Sequence, residues 1–301
     1  MKEIIKINST YDQQPLYASL FYDDQAKKGI IQVFHGMAEH RHRYDWFASQ
    51  LLQAGYVVLT CDNRGHGDSA VTLGYFADQN GWQVNLNDLY QLTMLVKKRF
   101  DLPLIIFGHS MGTLIARSFL KQHEDIVEGM ILSGSPSENN ALVAATLIAK
   151  TIKTFRGAKH QSALLNNLSF GSFNKHISNP RTEFDWLSCN EENVDSYIND
   201  KWCGYPFTVQ GYLDLFDGLK DVYQARDWHV RKPDLPIKFF SGENDPCMGS
   251  VEGLKAAVQK LQAVGYQKVE YEILPGLRHE ILNEKERMQV LHKIIGFIEE
   301  K

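Results

Sequence analysis

Along this chain, runs of apolar, β-forming residues alternate with stretches in which apolar residues recur every three or four positions. The runs fall at Ile30–Phe34, Tyr56–Cys61, Leu102–Phe107, Val127–Ser133, Ile237–Phe240 and Val269–Leu274. Short apolar runs of this kind predict strands covered on both faces. The helical pattern occupies Tyr44–Ala54, Trp82–Arg99, Gly112–His123, Val251–Gly265 and Glu284–Glu300. Alternating strand and helix predict an α/β fold with a mostly parallel, doubly wound sheet and right-handed crossovers. The N-terminus departs from this pattern. Residues 2–9 and 16–23, joined by a turn at Tyr11-Asp12-Gln13-Gln14, read as an antiparallel pair of strands.

A second departure lies between Gly134 and Gln224. Helical patterns occur at Ala141–Phe155, Val194–Lys201 and Thr208–Leu219, separated by polar segments such as Asn166-Asn167 and Ser178-Asn179-Pro180. No strand pattern interrupts them. The aromatics here (Phe155, Phe170, Phe173, Phe184, Trp186, Tyr197, Trp202) argue against a disordered linker. The expected organisation is a core made of residues 1–133 and 225–301, with residues 134–224 inserted as a helical unit.

Composition narrows the functional classes. The 301 residues are 44% hydrophobic and 23% charged, with a net charge of −4. A mildly acidic chain without a basic, aromatic-interleaved tract gives no sign of nucleic-acid binding. The cysteines, Cys61, Cys189, Cys203 and Cys247, are spaced neither as a metal knuckle nor as a disulfide framework. They read as reduced thiols of a cytoplasmic protein. The N-terminus lacks a signal-peptide core, and no apolar run approaches the roughly 18 residues that cross a bilayer. Histidines gather at His35, His40, His42, His66, His109 and His123, but no His-Glu-x-x-His occurs. Neither a metal nor another cofactor is expected.

Candidate chemistry starts at Gly108-His109-Ser110-Met111-Gly112, between a predicted strand and a predicted helix. A Gly-x-Ser-x-Gly in that context is the form of a nucleophile elbow, which raises a serine hydroxyl over the end of a sheet. Gly108 and Gly112 leave room for strand and helix to approach. A serine hydroxyl needs a base, and in this type of sheet the acid and then the histidine follow it in the chain. Asp245 follows the strand at 237–240 and His279 follows the strand at 269–274, both in loops at carboxyl ends where open parallel sheets carry their sites. Glu243 is a weaker rival acid. Asp217 and Asp227 read as solvated, and Glu280 as an ion-pairing or capping group. The oxyanion of acyl transfer needs fixed N–H donors. Met111, next to the nucleophile, supplies one, and Met37, in the loop Phe34-His35-Gly36-Met37-Ala38-Glu39-His40, supplies the other. Gly36 lets that loop turn, and His35, placed before the serine, reads as a structural residue shaping it. The segment Asp62-Asn63-Arg64-Gly65-His66-Gly67-Asp68-Ser69 reads as a tight turn held by an internal Asp–Arg bond. It lacks the Gly-Lys-Ser/Thr ending of a phosphate-binding loop.

These motifs resemble the monoacylglycerol lipase and lysophospholipase group of α/β-hydrolases, often classed with serine aminopeptidases. The resemblance rests on His35-Gly36-Met37-Ala38-Glu39-His40 with Arg43-Tyr44, on Asp62-x-Arg64-Gly65-His66-Gly67-x-Ser69, and on Gly108 to Gly112. It also rests on Gly242-x-x-Asp245-Pro246 and Gly276-x-x-His279-Glu280. It covers residues 29 to 300 apart from the insertion. It implies that residues 134–224 cap the site and that the chain cleaves carboxylic esters bearing one acyl chain and a polar head. Met37-Ala38-Glu39 stands where proline iminopeptidases carry Gly-Gly-Pro-Gly, and Ser110 where dehalogenases and epoxide hydrolases carry aspartate. The expected partner is a small ester, lipid-like if the apolar run Ala141–Ala149 and the neighbouring Lys150, Lys153, Arg156 and Lys159 meet a membrane surface. Acyl transfer to an alcohol, amide cleavage and a non-catalytic receptor remain alternatives at this level.

Overall fold

In the computed structural model, which describes residues 1–300, the alternating pattern becomes one eight-stranded sheet. Its strands are β1 (Lys2–Asn8), β2 (Pro15–Phe21), β3 (Gly29–Phe34), β4 (Tyr56–Cys61), β5 (Leu104–His109), β6 (Val127–Ser133), β7 (Ile237–Gly242) and β8 (Val269–Leu274). The spatial order is β1-β2-β4-β3-β5-β6-β7-β8. β1 pairs antiparallel with β2, and β2 antiparallel with β4; all other pairs are parallel. The helices are α1 (Asp45–Gln53), α2 (Gly81–Phe100), α3 (Met111–His123), α4 (Leu142–Arg156), α5 (Ala163–Phe170), α6 (Glu191–Asn199), α7 (Val209–Tyr223), α8 (Val251–Val264) and α9 (Arg287–Glu299).

Two apolar layers explain why the central strands lack polar alternation. On one face Ile31, Val33, Val58, Ile105, Phe107 and Phe240 pack with Phe47 and Leu51 of α1 and Val290 and Ile294 of α9. On the other face Ile30, Val57, Leu59, Ile106, Met130 and Phe239 pack with residues of α2, α3, α7 and α8. Successive side chains point to opposite faces, so a strand covered twice is apolar throughout. β8 differs from the expectation of double coverage. It is an edge strand whose Glu270 and Tyr271 are exposed, and Glu272 pairs with both Lys238 and Lys293.

Helix ends move by a few residues from their expected places, and β5 extends through Gly108 and His109. Two larger differences are informative. The Asn166-Asn167 segment is not a loop but the middle of α5, which Ser162 caps by accepting Leu165 N–H at 3.3 Å. The turn at residues 62–69 is not held by an Asp62–Arg64 bond. Asp62 instead faces the guanidinium of Arg41 and accepts Arg41 N–H at 2.9 Å. Arg64 reaches Asp88 on α2 at 2.8 Å and also pairs with Asp12.

Between β6 and β7 the chain forms α4 to α7, with a single β-bridge, Gln161 to Thr208, among the described residues. The last of these helices, α7, is part of the main apolar layer through Tyr212, Phe216 and Val222.

Arg64 and Asp88 are both buried, so removing the cation leaves a desolvated carboxylate without its partner. Arg64→Ala is expected to cost about 3–5 kcal/mol. Urea unfolding reads this as a lower midpoint at unchanged m value.

Candidate active site

The elbow begins where β5 ends. Ser110 adopts φ 54° and ψ −120°, and α3 starts at the next residue. The turn is closed by Ser110 N–H donating to Ser133 O at 2.8 Å and by the Thr113 hydroxyl donating to Ser110 O at 2.7 Å. Gly112 crosses β3 so closely that a Cβ there would lie 2.0 Å from Phe34 O. Met111 opens α3, where the N–H groups of the first turn have no acceptor within the helix.

Asp245 and His279 come together from the loops after β7 and β8. His279 Nδ1 lies 2.9 Å from Asp245 Oδ1, and both side chains are buried. A carboxylate only accepts, so the proton of this bond sits on Nδ1 and Nε2 is left to face the cavity. Asp245 is fixed by Cys247 N–H at 2.8 Å and by the Ser241 hydroxyl at 3.3 Å. On the far side of the ring, Cys247 Sγ is 3.8 Å from Nε2 and also touches Ser110. The imidazole lies between His109, with ring centroids 4.6 Å apart, and Trp186, at 5.1 Å. Gly134, at φ 62°, lies against its edge: a Cβ there would meet His279 Cε1 at 2.8 Å. The sequence patterns do not place Cys247, Trp186 or Gly134 at this site. Only the small-residue run Ser133-Gly134-Ser135 at a strand end hints at one of them.

Electrostatics separates this histidine from its neighbours. Burial opposes a charged ring at His279, but the Asp245 carboxylate outweighs it and holds the ring's proton well above the ordinary histidine range. His109 is pushed down to about 4 by burial and by the adjacent His279. His35 falls to about 3, chiefly through burial. Its Nδ1 donates to Gly36 O at 2.8 Å and its Nε2 accepts Asn63 N–H at 2.9 Å, which ties the loop after β3 to the turn after β4. Glu243 points elsewhere: it is exposed and accepts Gly276 N–H at 2.9 Å. Asp217 and Asp227 are exposed.

The loop after β3 is braced by charge. Glu39 accepts the Tyr44 hydroxyl at 2.8 Å and Arg43 Nη1 at 2.9 Å, and Arg43 also forms a two-point pair with Glu280. Ala38 O receives Gly204 N–H and the Tyr197 hydroxyl, each at 3.0 Å. Gly36, Met37, Ser110 and His279 thereby line one cavity of about 420 Å³, roofed by residues of the insertion such as Phe170, Phe184 and Trp186.

The family model described as serine aminopeptidase, S33 matches residues 25–286. The chain belongs to this family. It is 28% identical to a monoglyceride lipase of Rattus norvegicus, across 94% of this chain and 86% of that protein. It is 26% identical to a monoacylglycerol lipase of Mycolicibacterium smegmatis, across 91% of this chain and 89% of that one. A highly thermostable carboxyl esterase from Bacillus coagulans superposes with TM-score 0.91 at 26% identity, covering 99% of this chain and 98% of its own. The fold is that of the α/β-hydrolases, and the chain is a carboxylic-ester hydrolase.

In an imidazole NMR titration, His279 should remain protonated above pH 6.5, while His35 and His109 stay neutral there. Asp245→Asn removes the facing charge and should lower the His279 midpoint.

Proposed function

We propose that this enzyme hydrolyses esters bearing a single acyl chain, of the monoacylglycerol or lysophospholipid kind, through an acyl-enzyme on Ser110. The observation that carries this reading is Ser110 on its positive-φ turn, sharing a cavity with a buried, carboxylate-paired histidine. Once the pH exceeds the raised His279 midpoint and the ring is neutral, Nε2 takes the hydroxyl proton as Ser110 Oγ attacks the ester carbonyl. The N–H groups of Met37 and Met111 hold the oxyanion. His279 then protonates the leaving alcohol, activates water against the acyl-enzyme and is itself oriented by Asp245. Support for the substrate class comes from the relatives, which include monoacylglycerol and monoglyceride lipases, and from the esterase solved in complex with glycerol.

In this reading residues 134–224 act as a cap that meets a lipid surface. Val143, Leu147 and Phe155 on α4 are 82%, 68% and 81% exposed. Leu164 and Leu168 on α5 are also exposed, as are Lys150 and Arg156 on α4. Large apolar side chains beside cations suit a helix lying at an interface.

Ser110→Ala should lower turnover by a factor on the order of 10⁶ and abolish labelling by a fluorophosphonate probe; near-normal turnover by this variant removes Ser110 from the mechanism. In a nitrophenyl ester series octanoate should exceed acetate. The paired change Leu147→Glu and Phe155→Glu should depress hydrolysis of a monoester embedded in vesicles and leave a soluble short-chain ester unaffected. Equal rates on vesicles argue against the interfacial role.

A further inference from the structure

The cavity around Ser110 is uneven in charge. Among the described residues its lining includes the carboxylates of Glu39, Glu183 and Glu280 but neither lysine nor arginine. Arg43 stands behind two of them with its donors occupied. Nη1 donates to Glu39 at 2.9 Å and to Glu280, while Nη2 donates to Glu280 at 2.8 Å and to Asn193 at 3.1 Å. Tyr197 covers the guanidinium, whose carbon is 4.9 Å from the ring centroid. Burial alone would raise the Glu280 carboxyl, but Arg43 overrides it and holds that group at about 2. Two carboxylates facing one guanidinium leave this buried cluster negative overall. Glu183 adds a further carboxylate from the insertion, exposed and without a hydrogen bond or ion pair. Beside it in the lining stand Phe184, Trp186, Tyr197 and Tyr205.

Aromatic faces and unpaired carboxylates attract cations, and a quaternary ammonium suits such surroundings because it is weakly hydrated and needs no specific acceptor. Apart from His279, whose charge Asp245 offsets, the lining offers a phosphate or sulfonate no cation. To gain one it must strip Arg43 from its carboxylates. We infer that the cavity sorts its esters by the net charge of the alcohol: it favours the ester of an amino or quaternary-ammonium alcohol, accepts an uncharged or zwitterionic alcohol and disfavours one with a net negative charge. The inference rests on the ester-hydrolase reading of Ser110, and Glu183 is its specificity-determining residue. Glu183 takes no part in the acyl-transfer step.

The test uses the purified full chain and three octanoyl esters of similar shape. One is octanoylcholine. The second is its uncharged isostere, the dimethylbutyl ester in which carbon replaces the ammonium nitrogen. The third is the ester of hydroxyethanesulfonate. The measurement is kcat/KM below the micellar concentration. Octanoylcholine is expected to exceed the uncharged isostere by about 5–30-fold, and the sulfonate to fall below it by about tenfold. Both ratios should shrink in about 1 M salt, where surface charges are screened within roughly 3 Å. Glu183→Gln should cut the choline-to-isostere ratio about threefold or more, and Glu183→Lys should cut it further. Equal kcat/KM for choline and isostere in the unaltered chain overturns the inference, as does a choline preference that Glu183→Gln and Glu183→Lys leave intact. In either case turnover of the uncharged ester still supports the ester-hydrolase reading. Failure to cleave all three esters overturns that reading and the charge preference with it.

Discussion

The backbone at Ser110 is the constraint around which the site is arranged. A non-glycine residue at φ 54° costs on the order of 1–3 kcal/mol and persists only where its surroundings determine it. Here β5 leads in from the most deeply buried part of the sheet, and α3 leads out pressed against β3 at Gly112. Ser133 O and the Thr113 hydroxyl hold the two sides of the turn. The serine side chain is therefore placed by packing that lies mostly beneath it. The remaining groups of the cavity need only be brought to that fixed point.

Much of this was legible in the sequence because burial on both faces writes strands such as Ile30–Phe34 and Tyr56–Cys61 as plain apolar runs. The loops carrying Asp245 and His279 could be located because they follow such runs. What pairs with what was less legible. Charged partners obey geometry across the fold and leave no local pattern. Arg43 lies 237 residues from Glu280, and Arg64 passes over nearby Asp62 to reach Asp88 and Asp12. α5 was hidden for a different reason: paired asparagines weaken helix propensity. Tertiary packing of Leu165 and the Ser162 cap override that weakness. β8 misled in the opposite direction, since its position at the sheet edge, which sequence did not reveal, is what tolerates its glutamates.

The insertion is tied to the loop after β3 as well as to the apolar layer that α7 joins. Ala38 O takes two donors from it, Arg43 bonds Asn193 of α6, and His40 bonds Asp200 at 2.8 Å. These contacts all follow Met37 in the chain, the nearest at the very next residue, so the insertion holds the backbone beside Ser110 from that side. The same contacts place the aromatic roof, including Trp186 over His279, in register with the sheet below.

The order of the parts along the chain has a consequence for how the enzyme comes into being. β3, β5 and the serine turn precede the insertion, whereas Asp245 and His279 lie in the loops after β7 and β8. On the ribosome Ser110 is synthesised well before Asp245 and His279. For a long interval the nascent chain carries the serine without the carboxylate–imidazole pair that shares its cavity in the finished fold. That cavity is complete only once the loop after β8 lays the imidazole against Gly134. The site is thus drawn from both ends of the chain, and no N-terminal fragment can contain it.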